Sequence, residues 1–187
     1  MLVSLELTGY ACRNKWPLIE IIVNGKFLGQ FEIIGNTFVD IEISKEIIIE
    51  KNSLKINYKN KTDQDTINVD GVNVEDQYLE LHRCWIDHIL CEPWLLTESY
   101  YYPEYFAGFL EFCPDAEKEI KSQLVWHFPG IFEICFPNNF WDWYCYERRK
   151  YALKANLDKD VERWENYTGN FELHQDVIDD IRKLING

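Results

Sequence analysis

The side chains best suited to chemistry gather between Asn57 and Asp70, where the sequence runs NYKNKTDQDTINVD. Asn60, Asp63, Asp65 and Asp70 lie in this stretch, and Asp76 follows in the run Glu75-Asp76-Gln77-Tyr78. Carboxylates and amides concentrated in a loop are the donors that a hard cation takes. Calcium binds about six to eight oxygens from carboxylates, amides and backbone carbonyls. These five residues are therefore the candidate calcium ligands. The spacing is not that of an EF-hand, which needs D-x-[DN]-x-[DN]-G; here Asp63 and Asp65 are followed by Ile67 and Asn68. A solvated acidic loop, whose Asp and Asn side chains hold their own turns, accounts for the same composition and is the simpler reading.

Flat rings are the second resource. Tyr100, Tyr101, Tyr102, Tyr105, Trp94, Trp141 and Trp143 are of the types that stack on the faces of sugar rings. Large rings also bury the most area, so a core joining two halves of the chain would use the same residues, and this is the plainer expectation. An intersubunit contact is a third use, because Tyr and Trp dominate such contacts. His82, Cys84 and His88 are separated by even numbers of residues and could share one face of a strand. On an extended strand, however, His82 and His88 stand about 20 Å apart, too far to share one metal. GxSxG, the P-loop, GxGxxG and HExxH do not occur. The chain is expected to be non-enzymatic.

Charge narrows the partners. The 187 residues hold 19 Lys and Arg against 32 Asp and Glu, a net charge of -13. Such a surface repels phosphate, and the one basic run is Glu147-Arg148-Arg149-Lys150. Neither nucleic acid nor an anionic membrane is an expected partner. Hydrophobic residues make up 47% and aromatics 16%, the opposite of a disordered composition. The six cysteines form no CxxC pair, and Met1-Leu2-Val3-Ser4-Leu5-Glu6 has neither a basic leader nor an apolar core. The expectation is synthesis in a reducing cytoplasm, with free and largely buried thiols. No apolar run reaches the roughly 18 residues of a membrane helix.

The elements that must position these residues change character midway. Residues 1–92 are expected to form an antiparallel β-sandwich, jelly-roll-like, of about eight short strands. Leu2–Leu7, Leu18–Val23, Phe27–Ile33, Thr37–Ile43, Ile47–Ile49, Leu54–Tyr58, Tyr78–Leu81 and Trp85–Leu90 carry the apolar runs or alternation. Asn24-Gly25 between two of them is a strong hairpin signal, because both positions tolerate positive φ. Residues 93–187 are expected to form an aromatic-rich helical or α+β extension packed on the sandwich. Pro114-Asp115-Ala116-Glu117 suggests a helix start running to about Leu124. Val125–His127 and Ile131–Phe136 suggest a hairpin around Pro129-Gly130. Asn139 is placed to cap a helix from Phe140 to about Leu153. Further helices are expected over Leu157–Glu165 and Gln175–Ile185; in the latter Val177, Ile178, Ile181, Leu184 and Ile185 share one face.

Over residues 3–90 the chain resembles a known family. The strand pair ending Val23-Asn24-Gly25-Lys26-Phe27-Leu28-Gly29, the strand Ile56–Lys61, the acidic loop, and Glu75–Leu79 leading to Ile86 are similar to calcium-dependent, xylan-binding carbohydrate-binding modules. Domains of this kind also occur in virion proteins of tailed phages, including cyanophages. In the family one strand ends in an Asn-Asp pair and a later strand opens on Asp-Arg-Asn-Leu. Asn60 matches the first Asn with Lys61 in place of its acidic neighbour, and Asp76 matches the later Asp with Gln77 in place of Arg. A lysine beside a calcium site opposes the metal. Ile131–Pro137 followed by Asn138–Trp143 is similar in rhythm to the closing strand and aromatic helix of some phage structural proteins. The resemblance implies a structural or interaction protein of a tailed-phage virion (a capsid decoration, neck or tail element) that binds other assembly proteins or itself. The alternative is a glycan-binding module, with or without calcium.

Overall fold

The structure, a computed structural model, describes residues 1–70, 72–91, 99–141 and 143–145. Trp94, the helices expected over 157–165 and 175–185, and most of the one expected from Phe140 lie outside the described residues. The chain divides into two compact units, Met1–Tyr144 and Cys145–Gly187. The described elements belong to the first.

These are β1 (Leu2–Tyr10), β2 (Leu18–Val23), β3 (Lys26–Glu32), β4 (Gly35–Glu42), β5 (Lys51–Tyr58), β6 (Thr66–Val69), β7 (Val72–Asp76), β8 (Tyr78–Ile86), β9 (Ile89–Leu90), β10 (Tyr100–Pro103), α1 (Ala107–Phe112), β11 (Ile120–Lys121), β12 (Val125–Trp126) and β13 (Gly130–Pro137). One sheet runs β12-β8-β1-β4, with β9 also on β8. The other runs β11-β10-β13-β5-β2-β3, and β6-β7 is a separate hairpin. All pairings are antiparallel. The fold is the expected antiparallel β-sandwich.

Alternation builds it. In β1, Val3, Leu5 and Leu7 are buried while their neighbours are not; in β5, Leu54, Ile56 and Tyr58 are. A period of two puts one side of each strand on the core. Trp126 of one sheet is fully buried and lies 5.7 Å from the Tyr101 ring and 5.1 Å from Phe132, both of the other sheet. Large rings thus close the space between the sheets. Asn24 (φ 52) and Gly25 (φ 79) form the expected hairpin turn between β2 and β3.

Several expectations are corrected. The sandwich does not stop at residue 92: β12 joins one sheet, and β10, β11 and β13 extend the other. No helix spans Pro114–Leu124. Ile120 and Lys121 pair instead with Tyr101 and Tyr100 of β10, and that pairing takes the middle of the segment into the sheet. The short α1 precedes the segment. Val125-Trp126 and Ile131–Phe136 are not a hairpin; β12 pairs with β8 and β13 with β5, so Pro129-Gly130 crosses between sheets. Ile47–Ile49 forms a loop, held where Asn52 bonds both the N–H (3.1 Å) and the carbonyl (3.0 Å) of Ile49. The two strands expected over 78–90 are one long strand, a turn at Asp87 and His88 with φ 48 and 65, and β9. All six cysteines are unpaired, but Cys113 and Cys135 are exposed rather than buried. Among the described residues no helix is long and apolar enough to cross a membrane.

Candidate functional site

Two regions hold the chemistry. The first is the end of the sandwich where the β1–β2 loop, the β5–β6 loop, the end of β7 and His127 converge. A 3-10 turn at Asp63–Asp65 is closed by Thr62, whose N–H and hydroxyl both donate to Asp65 Oδ2 at 2.7 Å. Lys15 Nζ reaches the same oxygen at 2.5 Å. Asp76 Oδ1 accepts from Lys61 Nζ and from Thr66 Oγ1, each at 2.5 Å, and its Oδ2 lies 3.0 Å from His127 Nδ1. The Lys61 side chain is only 2% exposed. Behind it, Gln77 is fully buried, donates to the Lys15 carbonyl (2.8 Å) and accepts from the Tyr58 hydroxyl (3.2 Å), which ties the two sheets together.

Burial by itself would raise both carboxyls. For Asp65 the hydrogen bonds from Lys15 and Thr62 outweigh it, and for Asp76 those from His127, Lys61 and Thr66 do. Both are held below the ordinary carboxylate range.

Of the five residues expected to bind calcium, the structure brings Asp65 and Asp76 together. Asn60 serves the backbone instead: its Oδ1 accepts from the Leu18 N–H (2.9 Å) and its Nδ2 donates to the Trp16 carbonyl (2.7 Å). Asp63 is exposed on the 3-10 turn, and Asp70 is exposed with φ 53 where the β6–β7 turn begins. Among the described residues no group of three or more His, Cys, Asp or Glu could hold a metal ion. The donors do not fit calcium, because each gathered carboxylate already faces an ammonium.

The second region is the outer face of the six-stranded sheet. Tyr100 and Tyr102 alternate out of β10 with ring centroids 6.5 Å apart, while Tyr101 between them is buried and its hydroxyl donates to the Phe128 carbonyl. Register then lays out two rows. Lys121, Tyr100, Glu133 and Lys55 face one another across β11, β10, β13 and β5. Beside them run Tyr102, Ile131, Asn57 and Glu20. Lys121 Nζ stands 6.0 Å from the Tyr100 ring centroid, a cation–π distance. Glu133 accepts from Ser53 Oγ at 2.5 Å and lies 3.5 Å from Lys55 Nζ. Asn57 Nδ2 donates to Glu20 at 3.2 Å. Burial, then the Glu119 and Glu133 carboxylates, push the Tyr102 hydroxyl above its ordinary pKa.

Of the seven candidate rings Trp94 lies outside the described residues, and Tyr100 and Tyr102 share this face. Tyr101 belongs to the core. Tyr105 packs in a cluster with Phe109 (5.0 Å) and Phe128 (4.8 Å). Trp141 is 57% exposed, and Trp143 lies against Phe140 at 5.6 Å. The expectation that the rings fill the core therefore holds for Tyr101 and fails for Trp141. Glu20, Ser53, Lys55 and Glu133 do not stand out in the sequence, although the alternation of β2, β5 and β13 puts them opposite the core residues. A stack on the other sheet is equally silent there: Tyr10 lies 4.0 Å from Tyr78, and Tyr78 lies 5.0 Å from His127. His82 bonds Thr8 Oγ1 at 2.7 Å and His88 sits in the turn beyond β8.

No family model matches the sequence, and no curated protein does. Two solved structures are similar in fold. One is vCBM60 in complex with galactobiose, 7% identical, with TM-score 0.45 over 72% of this chain and 97% of that one. The other is the selenomethionine form of vCBM60, described with a circular permutation linking two families of calcium-dependent carbohydrate-binding modules. It is 7% identical, with TM-score 0.47 over 71% of this chain and 88% of that one. The chain thus bears a faint fold resemblance to a calcium-dependent carbohydrate-binding module.

Proposed function

We propose that the protein is a non-catalytic glycan-binding module whose binding surface is the outer face of the six-stranded sheet. The observation that carries this reading is the outward Tyr100–Tyr102 pair beside side chains rich in donors and acceptors. A sugar ring offers an apolar C–H face and a rim of hydroxyls. Half-buried tyrosines suit the first, since they present flat apolar area at low entropic cost. The second needs groups that both give and take hydrogen bonds. Lys55 and Asn57 donate, while Glu20 and Glu133 accept. These groups already brace one another, as in the Glu133–Ser53 and Asn57–Glu20 bonds, so less ordering remains to be done when a ligand arrives. Rigid strands, rather than loops, hold every member of the set.

The test is a glycan array followed by calorimetry on the best oligosaccharide. Wild type should bind, and Tyr100→Ala and Tyr102→Ala should each weaken binding by about tenfold or more, or about 1.4 kcal/mol. A chain that binds no glycan yet self-associates with rising concentration would return the function to virion assembly, the role that the family resemblance of residues 3–90 implies first.

A further inference from the structure

The acidic end of the sandwich carries an inference that is independent of the glycan reading. We propose that Lys15 and Lys61 are built-in cations, which neutralise Asp65 and Asp76 and order this end of the fold without a divalent metal.

Lys61 is the central residue. Lysine is almost never sealed from water, since removing an ammonium from water is strongly unfavourable unless a charged partner compensates. Here the Lys61 side chain is 2% exposed and its Nζ lies 2.5 Å from Asp76 Oδ1, on a carboxylate side chain that is itself 14% exposed. The Lys15–Asp65 pair repeats the arrangement at 2.5 Å, with side-chain exposures of 38% and 12%. Counting charge, two carboxylates at -1 and two ammonium groups at +1 sum to zero. Within the two pairs neither carboxylate has charge left over for a divalent ion. The oxygens that face the two ammonium groups are also already in use. Asp65 Oδ2 accepts three bonds, from Lys15 and from both Thr62 donors. Asp76 takes Lys61 and Thr66 on one oxygen and His127 on the other. A calcium ion on Asp76 Oδ1 would have to displace the Lys61 ammonium while that side chain is still buried.

The chain positions that make this work are not neighbours. Lys15 comes from the β1–β2 loop, Lys61 from just after β5, and His127 from just after β12. The two carboxylates therefore tie together loops contributed by both sheets, the service a structural cation would otherwise give.

The experiment is thermal unfolding of the full chain in a chelator and again in millimolar calcium, with calorimetric titration of calcium alone. The expected result is the same midpoint in both buffers and no binding heat. A ligand that bound only the folded state would raise the midpoint, so a midpoint raised by calcium overturns the proposal. Lys61→Gln should lower the midpoint by about 5–10 °C, and Lys15→Gln, whose side chain is more exposed, by less. If Lys61→Gln melts like wild type, Lys61 is not a structural cation and the proposal also fails. No sugar enters these measurements, so their outcome is separate from that of the glycan experiment.

Discussion

Asp76 shows how one side chain answers to its neighbours. Its carboxyl is held low against the opposing effect of burial by His127, Lys61 and Thr66, and Asp65 is held low likewise by Lys15 and Thr62. A carboxyl whose folded pKa is depressed contributes stability above its unfolded value, which is about 3.9, and loses it as pH falls through the folded value. The protein should accordingly lose stability as pH drops below about 4. Asp76→Asn should melt lower at pH 7 and show a shallower acid limb, since one of the groups that drive acid unfolding is gone. Denaturant melts at several pH values check this; an acid limb unchanged in Asp76→Asn would mean that the carboxylate gains nothing from its three partners. The sequence points to both carboxylates but not to what they meet. Lys15 is 50 residues from Asp65 and His127 is 51 from Asp76, and composition carries no record of such distances. Lys61, beside Asn60, is the visible clue.

Elements are legible wherever a strand buries one face, because alternation is a local property. β1, β2, β4 and β5 fall within a few residues of expectation. Pairing is not legible, since two apolar runs flanking Pro129-Gly130 look alike whether they fold back on each other or part into different sheets. Gly130 marks the parting. It opens β13 at φ 154, and an added Cβ would lie 2.4 Å from the Tyr102 carbonyl oxygen of β10. That contact is backbone and cannot give way by a rotamer change. Gly130→Ala should therefore cost about 3 kcal/mol or more. It should also shift the tyrosine strand, weakening any ligand held by Tyr100 and Tyr102 even under conditions where the variant stays folded. Chemical denaturation paired with the glycan titration would show both effects; an Ala variant as stable as wild type would mean that β10 and β13 do not meet so closely.

At the scale of the molecule, the defining fact is how far apart paired strands lie in the chain. β5 pairs with β13, and β8 with β12, across long stretches of sequence. Composition shifts near residue 93, beyond which most of the aromatics lie, and that shift suggests a boundary the strands do not respect. A chain ended at residue 92 would lack β10, β11, β12 and β13. β5 would become an edge with its hydrogen-bonding groups unpaired, and Tyr58, Leu54 and Ile56 would lose the Phe132–Ile134 side of their core. The rings of Tyr101 and Trp126 that fill the space between the sheets would go as well. A fragment of residues 1–92 should therefore fail to fold or should aggregate. A fragment ending at Tyr144, the limit of the first compact unit, keeps every strand of both sheets among the described residues. It should melt in one cooperative transition and retain whatever ligand the full chain binds on the six-stranded sheet. Circular dichroism melts and calorimetry on the two fragments decide the matter. Cooperative melting of the shorter one would mean that the sandwich closes without its last four strands, and that the surface carrying Tyr100 and Tyr102 is an addition to the fold rather than part of its core.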